Sequence, residues 1–265
     1  MKKFLLPVFV LLSACSTHVN KTAVANAAPD DVVIPGKLFA SLFQQRAAEY
    51  RALCLQAYNI ARFRIDNYTP QSSKPRAVIT DLDETALDNS YFEVHQTLQG
   101  KDYEPGAWAE WTSKAMADTM AGSVSFFRYA ASQGIEVFYV TNRDEKDFEG
   151  TLTNLKKYGF PYADPGHLII RKNVSSKEQR RQAIAETHEI VLLLGDNLAD
   201  FSALFDKKTE TERRQNVDLS ASEFGKKFII LPNTVYGDWE SSLFQYQRFT
   251  AAQKDSVVKA SVKGY

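Results

Sequence analysis

Hydrophobic positions along the chain alternate between two periods. From Lys37 to about Asn67, Phe39, Leu42, Phe43, Tyr50, Leu53, Ala57, Ala61 and Ile65 recur at three- and four-residue steps, with Arg46, Glu49, Arg51 and Arg62 between them, which predicts one long amphipathic helix. A Pro/Ser-rich link then leads into Ala77–Thr80, apolar and β-branched, a short buried strand. Helical patterns at Ser123–Gln133, about Lys146–Tyr158 and from Ser175 or Ser176 to about Thr187 alternate with apolar runs at Glu136–Thr141, Leu168–Ile170, Ile190–Leu194 and Phe228–Leu231. A further helix is expected over Leu198–Phe205, and the chain ends in a polar helical tail. Strands alternating with helices imply an α/β fold with a doubly wound, mostly parallel sheet. The long excursion Leu87–Gly122, carrying Tyr91, Phe92, Tyr103, Trp108 and Trp111, separates the first two strands and reads as a helical annex or cap over the site.

The N-terminus obeys neither period. Lys2 and Lys3 precede the apolar run Phe4–Leu12, too short for a permanent membrane span, and Leu12-Ser13-Ala14-Cys15 resembles a bacterial lipobox. Residues 1–15 are expected to be a lipoprotein signal with Cys15 acylated, residues 16–35 a flexible tether, and residues 36–265 the folded unit. Within that unit the core is assigned to 74–86 and 123–240, the annex to 36–68 and 87–122, and the tail to 241–265. Ser16, rather than aspartate, after the cysteine implies the outer membrane by comparison with similar lipoproteins. Cys54, in a helical pattern, is expected to be a small buried hydrophobe without a disulfide partner.

Acidic and basic residues balance at 32 each, which gives no support to binding of a nucleic-acid polymer. Chemistry concentrates where strands end. Asp81 and Asp83 follow the first strand, and in extended backbone they point to one side. Two carboxylates so close call for a cation or a proton between them, which suits an enzyme that attacks a phosphoester beside magnesium. Thr141-Asn142-Arg143, Lys177 and Asp196/Asp200 complete the set.

Ile79 to Phe92 and Val191 to Phe201, taken with Lys177 between them, resemble the haloacid dehalogenase superfamily and, more narrowly, the class C bacterial acid phosphatases of the lipoprotein e group. Thr80, Ala86 and Phe92 depart from the first signature without touching a carboxylate. The resemblance implies Asp81 as nucleophile and Asp83 as the acid and base, with Thr85 orienting Asp83. It also implies Mg2+ held by Asp81, the Asp83 carbonyl and Asp196. Asp200 is expected behind these, accepting from Lys177 or from waters. Thr141 and the Asn142 amide would hold phosphoryl oxygens while Lys177 neutralises them, with Arg143 a weaker candidate. Arg180 and Arg181 read as solvated. Trp108 and Tyr236 are candidates for stacking on the base of a 5′-nucleotide or nicotinamide mononucleotide, ahead of Trp111 and Trp239. The family implies a possible homodimer. Phosphotransfer on the same scaffold stays open, as does a haem-binding lipoprotein, although His18, His95, His167 and His188 are scattered.

Overall fold

The structure, a computed structural model, describes residues 31–265; Cys15 and the rest of the expected signal and most of the tether lie outside that range. Two helices open the described chain, α1 (Val33–Arg46) and α2 (Ala48–Asp66). Strand β1 (Arg76–Thr80) is followed by the excursion, which holds β2 (Leu87–Asp88), α3 (Ser90–Leu98), α4 (Pro105–Ser113) and β3 (Asp118–Thr119). Then come α5 (Ser123–Ser132), β4 (Ile135–Val140), α6 (Phe148–Tyr158), β5 (Leu168–Ile169), α7 (Glu178–Thr187) and β6 (Glu189–Gly195). The chain closes with α8 (Glu210–Leu219), β7 (Phe228–Ile230), α9 (Asp238–Leu243) and α10 (Ala251–Ser261).

The main sheet has five strands in the order β5-β4-β1-β6-β7, all neighbours parallel. Both faces are covered, as the alternation in β1 shows. Val78 faces a core with Cys54 and Ala61 of α2 and Phe127 of α5, while Ala77 and Ile79 face Ile184 of α7 and Phe201. Phe127, Tyr139 and Leu192 are fully buried, each worth about 1.5–3 kcal/mol of apolar transfer. This is the expected doubly wound sheet of a haloacid dehalogenase-like fold. The Asp81 amide continues the ladder past β1, donating to the Leu194 carbonyl at 2.9 Å.

Four expectations about elements need correction. The single long helix is two, broken at Ala47, whose extended backbone (φ −77°, ψ 124°) redirects the chain. α1 packs on α3 and α10, whereas α2 packs on α5 and β7, and no straight rod reaches both. Of the predicted stripe, α2 buries Tyr50, Ala57, Ala61 and Ile65 but leaves Leu53 exposed. In α1 the inward residues are Val33, Lys37, Ser41 and Gln44, and Phe39, Leu42 and Phe43 face outward. α1 also begins at Val33, inside the segment assigned to the tether. Finally, Leu198–Phe205 is two short 3-10 turns, Leu198–Asp200 and Ala203–Phe205, because Asn197 and Ser202 each cap one with extended backbone. Cys54 is a free, fully buried thiol, as the pattern predicts.

Candidate active site

The carboxyl ends of β1, β4 and β6 meet under the excursion at a cleft of about 460 Å3. Beyond β1 the chain folds back on itself. Glu84 adopts a left-handed conformation (φ 56°), which lets the amides of Thr85, Ala86 and Leu87 all reach the Leu82 carbonyl. None of the backbone amides of this turn goes to the Asp83 carbonyl.

Asp81, Asp196 and Asp200 gather at the floor, with one oxygen of each within 4.8 Å of the others. Lys177 stands at the N-terminal end of α7 and drives its ammonium between two of them, onto Asp81 Oδ1 and, at 2.6 Å, Asp200 Oδ1. Burial works against the charged lysine, but Asp200 and Asp81 outweigh it and hold its pKa above the usual value. Burial pushes the Asp81 and Asp196 carboxyls up, reinforced by the charge of neighbouring aspartates. Three carboxylates around one ammonium leave a net negative, oxygen-only donor set, which fits a hard divalent cation. Asp196 is oriented from both sides: Thr85 donates to Oδ1 at 3.3 Å and Asn233 to Oδ2 at 2.8 Å. Gly195 makes the approach possible, since a Cβ there would run into the Asp200 side chain.

Asp83 lines the same cleft but turns to other partners. Arg143 grips it through Nη2 at 2.7 Å and Nε at 3.1 Å, and Asn89 Nδ2 donates at 2.8 Å. Thr85 therefore orients Asp196 rather than Asp83, a correction that follows from the left-handed turn at Glu84. Arg143, buried to 3% exposure, is the stronger residue of its segment. Thr141 is fully buried behind the wall, its hydroxyl accepting the Arg143 amide at 3.1 Å, and Asn142 lines the cleft with its Oδ1 taken by Arg180 at 2.6 Å.

Arg180 and Arg181 are not solvated faces. Arg180 also donates to the Thr141 carbonyl, at 2.6 Å, and Arg181 holds the carbonyls of Ala199 and Asp200 at 2.8 and 2.9 Å. Both lie three or four residues after Lys177, on its side of α7, a spacing that marks them in the sequence. Asn89, Glu84 and Asn233 have no such signal.

The cap contributes Trp108, which lines the cleft with 9% exposure, the Arg143 guanidinium over its ring at 5.4 Å and the Phe92 edge against it at 5.0 Å. Tyr236 lines the cleft too and donates its hydroxyl to Glu84. Glu84 is buried, and burial together with the charges of Asp83, Asp88 and Asp196 lifts its carboxyl well above the usual range. Trp111 donates to Asn89 at 2.9 Å, which makes it a brace for the Asp83 partners, and Trp239 is exposed. Among the described residues no histidine lines the cleft; His167 is paired with Asp164 and Glu136 elsewhere.

A family model described as HAD superfamily, subfamily IIIB (acid phosphatase) matches residues 11–239. The fold is similar to that of the class C acid phosphatase from Bacillus anthracis, with a TM-score of 0.85 and 38% identity over 88% of this chain and 99% of that one. A second structure of that enzyme, with tungstate bound, matches equally well.

Proposed function

The chain belongs to the subfamily IIIB acid phosphatases of the HAD superfamily, and from that premise we propose how its residues divide the hydrolysis of a phosphomonoester and which esters it takes. The observation that carries the proposal is the Lys177 ammonium lying between Asp81 and Asp200 beside Asp196, with Asp83 held apart on Arg143.

An oxygen of Asp81 attacks phosphorus, forming an aspartyl-phosphate as the bond to the leaving oxygen breaks. The proton on the Asp83 carboxyl passes to that oxygen, and Arg143 and Asn89 fix where the carboxyl points. Asp83 then takes a proton from water. The oxygen of that water bonds to phosphorus, and the Asp81–phosphorus bond breaks. Lys177 stabilises the negative charge that accumulates on the phosphoryl oxygens, and the Asn142 amide serves the same oxygens from just beyond β4, while Thr141, buried behind the wall, holds the Arg143 amide in place. Magnesium suits the donor set of Asp81, Asp196 and the free carbonyl of Asp83, and there it would offset the charge that otherwise keeps a phosphate dianion away. Asp200 stays with Lys177.

Substrates of this reading are 5′-nucleotides and nicotinamide mononucleotide. Support comes from the cleft volume and from Tyr236 and Trp108 in its lining, of which Tyr236 is the freer ring. Acylation at Cys15 would anchor the enzyme in the outer membrane, a proposal that rests on the lipobox pattern alone. The test is a phosphate-release screen over nucleotides, sugar phosphates and aryl phosphates, using the form lacking residues up to Cys15. Release from nucleotides that stops on chelation and returns with Mg2+ is expected. Turnover unaffected by chelation rejects the metal, and turnover of aryl phosphates alone rejects the nucleotides.

A further inference from the structure

Two loops that reach the cleft from different strands share one buried carboxyl. Glu84, 1% exposed, sits between Asp83 and the turn that leads to Leu87. Its Oε2 accepts the hydroxyl of Tyr236, from the loop after β7. Its Oε1 accepts the Asn89 amide at 2.8 Å, and Asn89 in turn donates through Nδ2 to Asp83 at 2.8 Å. Tyr236 is tied at its backbone as well. Its amide donates to Asn233 Oδ1 at 3.3 Å, and Nδ2 of the same side chain holds Asp196.

A carboxyl buried beside Asp83, Asp88 and Asp196 works against the fold. The hydrolysis derived above gives Glu84 no proton to move and no contact with phosphate. Its bonds show what it does instead. Without it, the Tyr236 hydroxyl and the Asn89 amide lose the same acceptor group. The link to Tyr236 holds in either protonation state, because the hydroxyl can donate to a carboxylate or accept from a carboxyl.

We infer that Glu84 is a positioning residue that sets the Tyr236 ring and, through Asn89, the Asp83 carboxyl in one frame. The ring that meets the leaving group and the acid that protonates its oxygen are then held in a fixed relation. This deepens the proposed function: the ring half rests on the nucleotide reading, and the acid half only on Asp83 as proton donor. Placement of this kind governs rate, because small displacements of a reacting group cost large factors.

The experiment compares Glu84→Ala, Glu84→Gln, Tyr236→Phe and the Glu84→Ala/Tyr236→Phe double variant on uridine 5′-monophosphate, glycerol 2-phosphate and para-nitrophenyl phosphate. Tyr236→Phe keeps the ring and removes the bond, and should raise KM for the nucleotide about 10-fold. Glu84→Ala should raise it as much, and adding Tyr236→Phe to it should raise it no further, since both remove one bond. Glu84→Ala should also lower kcat about 10-fold more for glycerol 2-phosphate than for para-nitrophenyl phosphate, whose good leaving oxygen needs less of the Asp83 proton. Glu84→Gln, which can accept from Asn89 and donate to the Tyr236 oxygen, should recover most of both losses. A role in stability alone would lower Tm and depress turnover of all three esters alike. Additive effects of the two single changes on KM, equal kcat losses on the two smaller esters, or a glutamine variant as impaired as the alanine one overturns the inference. If Glu84→Ala does not fold, the other single variants decide: an unchanged nucleotide KM in Tyr236→Phe, or a 10-fold rise in Glu84→Gln, overturns it. If the nucleotide is not hydrolysed while para-nitrophenyl phosphate is, the nucleotide reading itself has failed, and the two smaller esters still test the hold on Asp83.

Discussion

Replacing Lys177 by methionine tests the floor of the cleft, because the change keeps the stem and removes the ammonium bonded to two of its three carboxylates. Asp81 and Asp200 lose their partner in a place where Lys177, Asp81 and Asp200 are each no more than 10% exposed at the side chain. Breaking a buried ion pair from one side costs about 3–5 kcal/mol. For a chain of this size that is a fall in Tm of roughly 10 °C. A divalent ion binding the same cluster returns part of it, about 2.7 kcal/mol at a hundredfold excess over Kd. Lys177→Met should therefore lose most stability in chelator and regain more on adding Mg2+ than the wild type does. Adding Asp200→Asn to it should restore stability further without restoring turnover, since the orphaned charge goes but the phosphoryl partner stays missing. Turnover should fall about 10²–10³-fold in kcat for both variants. Differential scanning fluorimetry with and without Mg2+, beside steady-state kinetics, reads all of this. A single variant with wild-type kcat, or one whose Tm is independent of Mg2+, would refute the reasoning.

Other consequences follow from the same geometry. Thr85→Val and Asn233→Ala should each weaken Mg2+ about 10–100-fold in a titration of activity, whereas a Thr85 that oriented Asp83 would alter leaving-group dependence and leave the Mg2+ requirement alone. Arg143→Met should cost about 10² in kcat, more for alkyl than for para-nitrophenyl esters, because a poor leaving oxygen depends on the Asp83 proton; equal losses on both would contradict that role. Metal-free protein should lose stability as pH rises. Asp81 and Asp196, raised by burial, keep their protons in the folded chain above the pH at which the unfolded chain releases them, so the folded state binds more protons up to about pH 7 and stability declines across that window. Added Mg2+, which needs the ionised forms, should raise Tm more at about pH 7 than at about pH 5. A Tm difference independent of pH would contradict it.

Motif chemistry was legible wherever a strand end carries it. Asp81, Lys177, Asp196 and Asp200 converge because β1, α7 and β6 are neighbours, and topology follows from the alternation of periods. What periodicity misses is decided by tertiary partners. α1 has an apolar stripe, yet the groups it packs against include Asp102, Glu240, Asp88 and Ser90, so it turns Lys37 and Gln44 inward instead. Thr85 was assigned to the wrong aspartate because a left-handed Glu84 reverses the direction of the chain, and glutamate gives no hint of that conformation. Arg180 and Arg181 are charged residues on a polar helix, and only their distance from Lys177 separates them from a solvated face.

Covalent capture decides whether residue 81 is the nucleophile. A single turnover with excess enzyme, quenched in acid within milliseconds and digested for mass spectrometry, should show one phosphoryl group on the peptide containing Asp81, absent from Asp81→Asn and present but slow to decay in Asp83→Asn. Phosphate released at full rate by Asp81→Asn, or a phosphoryl group found on any other residue, would contradict the account.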